Sequence, residues 1–258
     1  MPLSVSDAVE RLVRNRGSRE AAPPLSESAP ELVLSQAYAI QRALANALVA
    51  RGERVVGWKV GFTTAALQES FGVSEPVLAF LLASGVFKSG AAVPVSRFVS
   101  LGLEIEMAFV MKADLSGPGV TSAAALAAVE GAMPAFELID YRISGTPSGA
   151  DVVADGVLAN AVVLGGPPVP VSGLDLALEG VVYEENGRRV ATAAAAEVLG
   201  NPINSLAWLA NALSGMGGGL RAGDVIMTGS ISKVFRPKAG DAVRAGFTRL
   251  GTVSCTFV

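Results

Sequence analysis

The sequence predicts an α+β fold, in which a mixed and strongly bent β-sheet or β-roll follows an N-terminal helical region. Apolar residues recur at helical spacing up to about residue 53, and short apolar runs bounded by glycine or proline follow. Few helices separate these runs, unlike the regular strand–helix alternation of a doubly wound sheet. We therefore predict a helical cap at residues 1–53 and a mixed β-roll domain at residues 54–258.

Two helices are predicted in the N-terminal region. The first covers residues 5–13, with Ser6 and Asp7 as candidate N-caps. The second covers residues 34–49 and ends before Gly52, a residue typical of helix C-termini. A loop rich in serine, proline and alanine separates them.

The rest of the chain predicts many short strands and few helices. Asn186-Gly187 favours the type I′ turn of a β-hairpin, and Asn201 is a plausible cap for the helix that begins at Pro202. The predicted strands are 55–60, 103–111, 135–141, 161–164, 178–184, 188–194, 224–228, 241–248 and 252–258, and the predicted helices are 63–71, 121–130 and 202–213.

The composition of the chain excludes several classes of function. The net charge is −3 and no run of basic residues occurs, so the positive patch of a nucleic-acid-binding protein is missing and small polar ligands are favoured. The single cysteine, Cys255, cannot form an intrachain disulfide, which is typical of a reducing compartment. The N-terminus lacks the apolar core of a secretory signal, and no apolar stretch of about 18 residues occurs. We expect a soluble, cytoplasmic protein.

The absence of histidine is the most informative feature of the composition. It excludes Ser-His-Asp and Cys-His triads and zinc sites built on histidine. Proton transfer must then use Asp, Glu, Lys, Tyr or Cys. Lys59, which lies in an apolar strand between Gly57 and Gly61, is the best candidate. A lysine that extends its ammonium group to water explains the same pattern equally well.

Two carboxylates share one face of a predicted strand. Side chains alternate along a strand, so Glu104 and Glu106 point to one side while Leu103, Ile105 and Met107 point to the other. Paired carboxylates repel unless a cation lies between them, and Mg²⁺ or Mn²⁺ prefers such oxygen ligands. From this spacing alone, a solvated acidic face is the commoner explanation.

A third carboxylate, Glu137, lies inside a strongly apolar strand. A charge in such surroundings is costly unless it is paired or binds a metal. A salt bridge with Arg142 or another cation explains Glu137 as well as a metal site does.

Seven segments of the chain, in order, resemble the 2-hydroxypentadienoate hydratase and 4-oxalocrotonate decarboxylase family of the fumarylacetoacetate hydrolase superfamily. They cover nearly the whole chain, and their combination is more specific than any one of them. The segments are GWKVGFTT from Gly57, LEIEMAFVMK from Leu103, MPAFELIDYRI from Met133, DVVADG from Asp151, VVLGG from Val162, NPINSLAWLANAL from Asn201 and GGLRAGDVIMTGS from Gly218.

The resemblance implies a mixed β-roll behind an N-terminal helical region. It implies that Glu104, Glu106 and Glu137 bind Mg²⁺ or Mn²⁺ and that Lys59 is the active-site lysine. It also implies a homo-oligomer, and because hydratases and decarboxylases of this family associate, a related pathway enzyme is a candidate partner.

The chain departs from the family pattern around the pocket. An expected aspartate falls on Val77, a histidine on Phe80, an arginine on Gly102 and an asparagine on Gly156. Glu75 could replace the missing carboxylate only if its loop were reshaped. These changes weigh against water addition more than against metal binding.

We expect a divalent-metal-dependent lyase acting on small 2-oxo or 2-hydroxydienoic acids, by hydration or decarboxylation through a metal-stabilised enolate. Lys59 would move the proton at carbon. Arg142 and Ser230 are candidates for binding a substrate carboxylate, although a strand salt bridge and a turn hydroxyl explain them at least as well. The alternatives are a tautomerase or decarboxylase acting on another 2-oxo acid, and a non-catalytic partner subunit of a hydratase–decarboxylase complex.

Overall fold

The computed structural model describes residues 3–258 and contains six α-helices and twelve strands within them. The helices are α1 (Val5–Gly17), α2 (Leu34–Val49), α3 (Ala65–Ser70), α4 (Ser122–Ala127), α5 (Gly149–Ala154) and α6 (Pro202–Gly215). The strands are β1 (Val55–Gly61), β2 (Val77–Leu82), β3 (Val86–Lys88), β4 (Ala91–Val93), β5 (Leu101–Met111), β6 (Val129–Asp140), β7 (Ala159–Leu164), β8 (Gly180–Glu185), β9 (Arg188–Ala194), β10 (Val225–Ser230), β11 (Ala242–Phe247) and β12 (Gly251–Phe257).

The N-terminal helices pack on one side of the β-structure. Their buried residues, among them Leu12 and Leu44, share a hydrophobic cluster with β2 and α5. The buried amide of Gln41 donates to the carbonyls of Leu78 and Val153, at 3.0 and 2.7 Å, which fixes α2 against these elements. This cluster joins residues from both sides of residue 53, and the division into two domains stays a prediction.

The N-cap prediction for α1 was wrong by two residues. Ser4, rather than Ser6 or Asp7, is the cap, and its hydroxyl accepts a hydrogen bond from the Asp7 backbone N–H. The structure confirms the predicted bounds of α2. The Asn201 cap is also confirmed, because its side chain accepts from the N–H of Ile203.

Two mixed sheets form the body of the protein. The seven-stranded sheet has the order β2-β1-β10-β5-β6-β7-β3, and the five-stranded sheet has the order β4-β12-β11-β8-β9. The main hydrophobic core contains buried side chains of both sheets and of α6, such as Phe136, Tyr183 and Leu209. The α+β fold with a mixed β-roll and a helical N-terminal region is therefore confirmed.

Several element predictions need correction. Strand β6 begins at Val129, so the helix predicted over residues 121–130 ends at Ala127. β6 is paired on both edges and buried along nearly its whole length, and such a strand has a continuous apolar sequence rather than an alternating one. Strand β2 and helix α5 were missed, because both are short apolar runs without a periodic pattern.

The structure also bears on membrane insertion. Within residues 3–258, every helix is too short or too polar to cross a bilayer.

Candidate metal centre

The pairing of β5 with β6 brings the three predicted carboxylates together. Glu104 lies directly opposite Glu137 in this antiparallel pair, and Glu106 follows two residues later on the same face. Each glutamate offers one carboxylate oxygen, and these three oxygens lie within 4.8 Å of one another. The sequence pattern predicted the shared face of Glu104 and Glu106, and the strand register adds Glu137.

Two of the three carboxylates are buried, and these two are only partly hydrogen-bonded. Glu106 and Glu137 are 0% and 1% exposed, and the Oε1 atom of each has no hydrogen-bond partner among residues 3–258. Buried anionic oxygens without partners are costly, and oxygen ligands of this kind suit a hard divalent cation. The donor set therefore fits Mg²⁺ or Mn²⁺.

A backbone N–H from β10 orients one of the carboxylates. The N–H of Gly229 donates to Oε2 of Glu106 at 2.8 Å. Gly229 has a φ of +113°, and a Cβ atom there would lie 2.5 Å from the side chain of Thr63. Glycine is therefore required where the backbone approaches Glu106.

Burial and mutual repulsion raise the pKa values of Glu104 and Glu106. Burial is the main cause for Glu104, whose pKa rises to about 7 although Lys59 opposes the shift. The pKa of Glu106 rises well above its usual range, first because of burial and then because of Glu137 and Glu104. Without a bound metal ion, Glu104 and Glu106 therefore keep their protons to a higher pH than exposed glutamates do.

Lys59 is the cation of this cluster. It is 2% exposed, and its Nζ lies 2.7 Å from Oε2 of Glu137 and donates to the carbonyl of Val157 at 3.1 Å. Burial lowers the pKa of Lys59, but the charges of Glu137, Glu104 and Glu106 outweigh it, so the pKa lies above its usual value. Lys59 is therefore a buried ammonium group rather than a lysine that extends to water.

The contact between Lys59 and Glu137 also shows how strongly the sheet curls. Strands β1 and β6 are separated by β10 and β5. In a flat sheet they would lie about 14 Å apart, beyond the reach of side chains perpendicular to it. The 2.7 Å contact therefore requires the curvature of a roll.

A cavity of about 800 Å³ opens beside the cluster. Lys59 and Glu104 line it, together with Ser230, whose hydroxyl donates to the carbonyl of Ser232 at 2.7 Å. Its apolar wall includes Phe62, Val157 and other side chains. The structure thus places Ser230 at the cavity, where its use in substrate binding stays a prediction.

Arg142 lies elsewhere, contrary to its predicted place at the substrate. It is 1% exposed and is absent from the lining of the cavity. Its Nη2 lies 2.7 Å from Oδ2 of Asp155, and its Nε donates to Oδ1 at 3.0 Å. The same guanidinium donates to the carbonyls of Asp155, Leu158 and Ala159. Arg142 is thus engaged in a buried salt bridge, although with Asp155 rather than with Glu137.

Sequence reasoning missed the segment that Arg142 holds. Gly156, Val157 and Leu158 all have positive φ, and both Val157 and Leu158 line the cavity. A β-branched residue such as Val157 rarely adopts this conformation, so its sequence gives no signal. The sequence did mark Asp155 as a candidate for a buried ion pair, because it is an acidic residue at the end of an apolar run.

The structure also locates Val77, which stands where the family pattern has an aspartate, and Glu75, the candidate to replace that carboxylate. Val77 is fully buried in β2, and Glu75 is exposed, with its carboxylate 3.4 Å from Nε1 of Trp208. Neither residue lines the cavity.

Comparisons with known proteins agree with this geometry. Residues 50–258 match the family model described as fumarylacetoacetate (FAA) hydrolase C-terminal. The chain is 34% identical to a 2-oxo-hept-4-ene-1,7-dioate hydratase of Escherichia coli, over 96% of each chain. It is 35% identical to a 4-oxalocrotonate decarboxylase of Pseudomonas sp. strain CF600, over 92% of this chain and 90% of the relative.

A solved structure extends the likeness to the whole fold. The 4-oxalocrotonate decarboxylase of Pseudomonas putida G7, complexed with magnesium and adipate, superposes with a TM-score of 0.94. It is 31% identical and is matched over 99% of both chains. The predicted resemblance is confirmed: this chain belongs to the fumarylacetoacetate hydrolase family, among its 2-keto-4-pentenoate hydratases and 4-oxalocrotonate decarboxylases.

Proposed function

We propose that this protein is a Mg²⁺- or Mn²⁺-dependent lyase that acts on small 2-oxo or 2-hydroxydienoic acids, and that decarboxylation is its main reaction. The observation that carries the proposal is the cluster of Glu104, Glu106 and Glu137, with unpaired buried oxygens, beside the buried Lys59 in a cavity. The names of the hydratase and decarboxylase relatives support this reaction class.

The chain's own residues would divide the work. Glu104, Glu106 and Glu137 would hold the cation, which supplies electrostatic stabilisation for negative charge on the substrate's 2-oxo oxygen. Lys59 holds a proton at its Nζ, at the wall of the cavity, and can deliver it to a substrate carbon. The carbonyl of Val157 and the carboxylate of Glu137 fix the direction of that ammonium group.

The lining of the cavity favours decarboxylation over hydration. Adding water requires a base that directs the water molecule, whereas losing carbon dioxide requires only charge stabilisation and one proton transfer. Among the described residues, the carboxylates of the lining are Glu104, one of the proposed metal ligands, and Glu197, which is exposed. Within residues 3–258, the lining offers no carboxylate besides these two to direct a water molecule.

The test is an absorbance assay of the purified protein with Mg²⁺ or Mn²⁺ on 4-oxalocrotonate and on 2-hydroxypenta-2,4-dienoate, with product identification. We expect metal-dependent release of carbon dioxide from 4-oxalocrotonate and slower or no formation of a 4-hydroxy-2-oxo acid from the dienoate. Rapid hydration would contradict the preference for decarboxylation. Inactivity on both compounds, with the cation bound, would contradict the proposed function and favour a tautomerase or a non-catalytic partner subunit.

Assembly and location stay predictions. We expect a cytoplasmic homo-oligomer that associates with a related pathway enzyme. Size-exclusion chromatography with light scattering on the purified chain tests the homo-oligomer directly.

A further inference from the structure

An aromatic ring next to the end of β6 fills a space beside Glu104. Gly102 and Glu104 are two residues apart on β5, so they share one face of the strand at a separation of about 7 Å. A Cβ atom at Gly102 would lie 2.8 Å from Cε2 of Tyr141 and 2.8 Å from Cγ1 of Ile139. Tyr141 therefore occupies the space in which the family pattern places an arginine side chain.

The Tyr141 ring is held at the wall of the cavity by its neighbours. Its backbone N–H donates to the carbonyl of Ser100 at 3.0 Å. The guanidinium carbon of Arg236 lies 3.8 Å from the centre of the ring, and Nη1 of Arg236 donates to the carbonyl of Leu101 at 3.1 Å. The backbone bond and the stacked guanidinium restrict the ring to one place in the lining.

The hydroxyl of Tyr141 differs from the other two tyrosine hydroxyls of the chain. The hydroxyl of Tyr38 accepts a hydrogen bond from the N–H of Leu78 at 3.2 Å, and that of Tyr183 donates to Glu185 at 2.9 Å. The half-buried Tyr141 lines the cavity, and its hydroxyl has no hydrogen-bond partner among residues 3–258. A tyrosine hydroxyl enclosed by protein usually finds a partner, so this one is available to a ligand.

The Tyr141 hydroxyl keeps its proton at neutral pH. Burial raises its pKa above the ordinary value of 10.0, and the opposing charges of Arg236 and Lys59 are too weak to reverse that shift. The group is therefore a neutral O–H donor, and an anionic oxygen is the acceptor that it binds best.

Other candidate donors for a substrate carboxylate are engaged elsewhere. Arg142 is outside the lining, and the hydroxyls of Ser230 and Ser232 donate to the carbonyls of Ser232 and Lys233, at 2.7 and 3.0 Å. A 2-oxo acid that directs its 2-oxo oxygen and one carboxylate oxygen at the cation has a second carboxylate oxygen, which needs a donor once it leaves water. Tyr141, beside Glu104, has a proton to donate.

We propose that the Tyr141 hydroxyl donates a hydrogen bond to the carboxylate that a 2-oxo acid places at the metal centre, and thereby takes the binding role that the sequence assigned to Arg142. This inference rests on the proposed function, because the 2-oxo acid must lie next to Glu104. Tyr141 is a substrate-binding residue in this account and takes no part in proton transfer.

The test measures binding of 2-oxopentanoate, a saturated 2-oxo acid, to the Mg²⁺-loaded protein by titration calorimetry. Tyr141→Phe keeps the ring and removes only the hydroxyl. We expect it to weaken binding by about tenfold, the loss typical of a hydrogen bond to a charged group with some access to water. Mg²⁺ affinity and Tm should not change, because the hydroxyl contacts neither a proposed metal ligand nor the core.

Two further variants separate the hydroxyl from its surroundings. Tyr183→Phe is the matched control, because it removes a tyrosine hydroxyl that lies outside the cavity, and we expect it to bind 2-oxopentanoate as the wild-type protein does. Arg236→Gln removes the stacked guanidinium but keeps the hydroxyl. Its affinity should fall by threefold or less, because Arg236 is exposed and does not line the cavity.

The outcomes distinguish the role of Tyr141 from the proposed function. Unchanged affinity in Tyr141→Phe would overturn that role, and if binding still required Mg²⁺, the proposed metal centre would stand. A larger loss in Arg236→Gln than in Tyr141→Phe would also overturn it, because the guanidinium would then bind the anion. If 2-oxopentanoate did not bind the Mg²⁺-loaded wild-type protein, both the role of Tyr141 and the substrate mode on which it rests would be contradicted.

Discussion

Two buried clusters of opposite charges lie near the end of β6, and they are built differently. In the metal centre, three carboxylates face a single ammonium group, that of Lys59, and the Oε1 atoms of Glu106 and Glu137 have no hydrogen-bond partner among residues 3–258. In the second cluster, the guanidinium of Arg142 contacts the Asp155 carboxylate and three backbone carbonyls. Every nitrogen of that guanidinium has an acceptor.

The difference separates a candidate metal-binding site from a cluster that supports the backbone beside it. The Arg142 cluster is close to balanced in charge. It fixes the left-handed turn at residues 156–158, in which the carbonyl of Val157 accepts a hydrogen bond from Lys59. The metal centre has an excess of negative charge, which a divalent cation would neutralise. An imbalance of charge and of hydrogen bonds, rather than burial alone, therefore marks the candidate active site.

The largest expected effect is on turnover. Replacing Lys59 with Met should reduce kcat by about 10²- to 10⁴-fold, because the group that transfers the proton is lost. Metal affinity should persist or increase, since Glu137 loses a competing cation. Parallel measurement of kcat and of Mn²⁺ affinity checks this, with the exposed lysine variant Lys88→Met as the control. Full activity with metal bound would remove Lys59 from its proposed role.

Disrupting the Arg142 cluster should lower the free energy of unfolding rather than the affinity for metal. Arg142→Met leaves the buried Asp155 carboxylate without its partner and should lower the free energy of unfolding by about 3–5 kcal/mol. Urea denaturation measures this loss. The double variant Arg142→Met/Asp155→Leu should recover part of the lost free energy of unfolding, because both buried charges are then removed together. A loss below about 1 kcal/mol for the single variant would contradict the supporting role.

A smaller effect concerns pH. Because the pKa of Glu104 in the folded protein, about 7, is above its ordinary value of 4.5, the protonated form stabilises the metal-free fold. That contribution is complete below about pH 4.5 and is lost as the pH rises through 7. Saturating Mg²⁺ should therefore raise Tm more at pH 8 than at pH 5.5. An increase in Tm that is the same at both pH values would contradict the account, and Glu104→Gln should reduce the pH dependence.

The sequence predicted the carboxylate cluster better than it predicted the surroundings of the cluster. Strand alternation places Glu104 and Glu106 on one face, and an acidic residue in an apolar strand marks Glu137. The partner of Arg142 could not be predicted, since five carboxylates lie within 13 residues of it, namely Glu130, Glu137, Asp140, Asp151 and Asp155. Only the curled sheet selects among them.

The shape of the cavity depended on backbone conformations that residue types do not reveal. The left-handed conformations of Val157 and Leu158 are held by the Arg142 cluster rather than favoured by their own sequence. In the same way, residues 232–234 line the cavity because Ile231 and Phe235 are hydrogen-bonded to β5, and these attachments become visible only in the folded structure.

The most direct test of the central claim is a Mn²⁺ titration of the wild-type protein, Glu137→Gln and the control Glu184→Gln, followed by electron paramagnetic resonance. Glu184 lies in β8, outside the metal centre. We expect one tight site per chain in the wild-type protein and in the control, and an affinity lower by on the order of 100-fold in Glu137→Gln, because a charged carboxylate is replaced by a neutral amide. Unchanged affinity in Glu137→Gln would contradict the three-carboxylate metal centre.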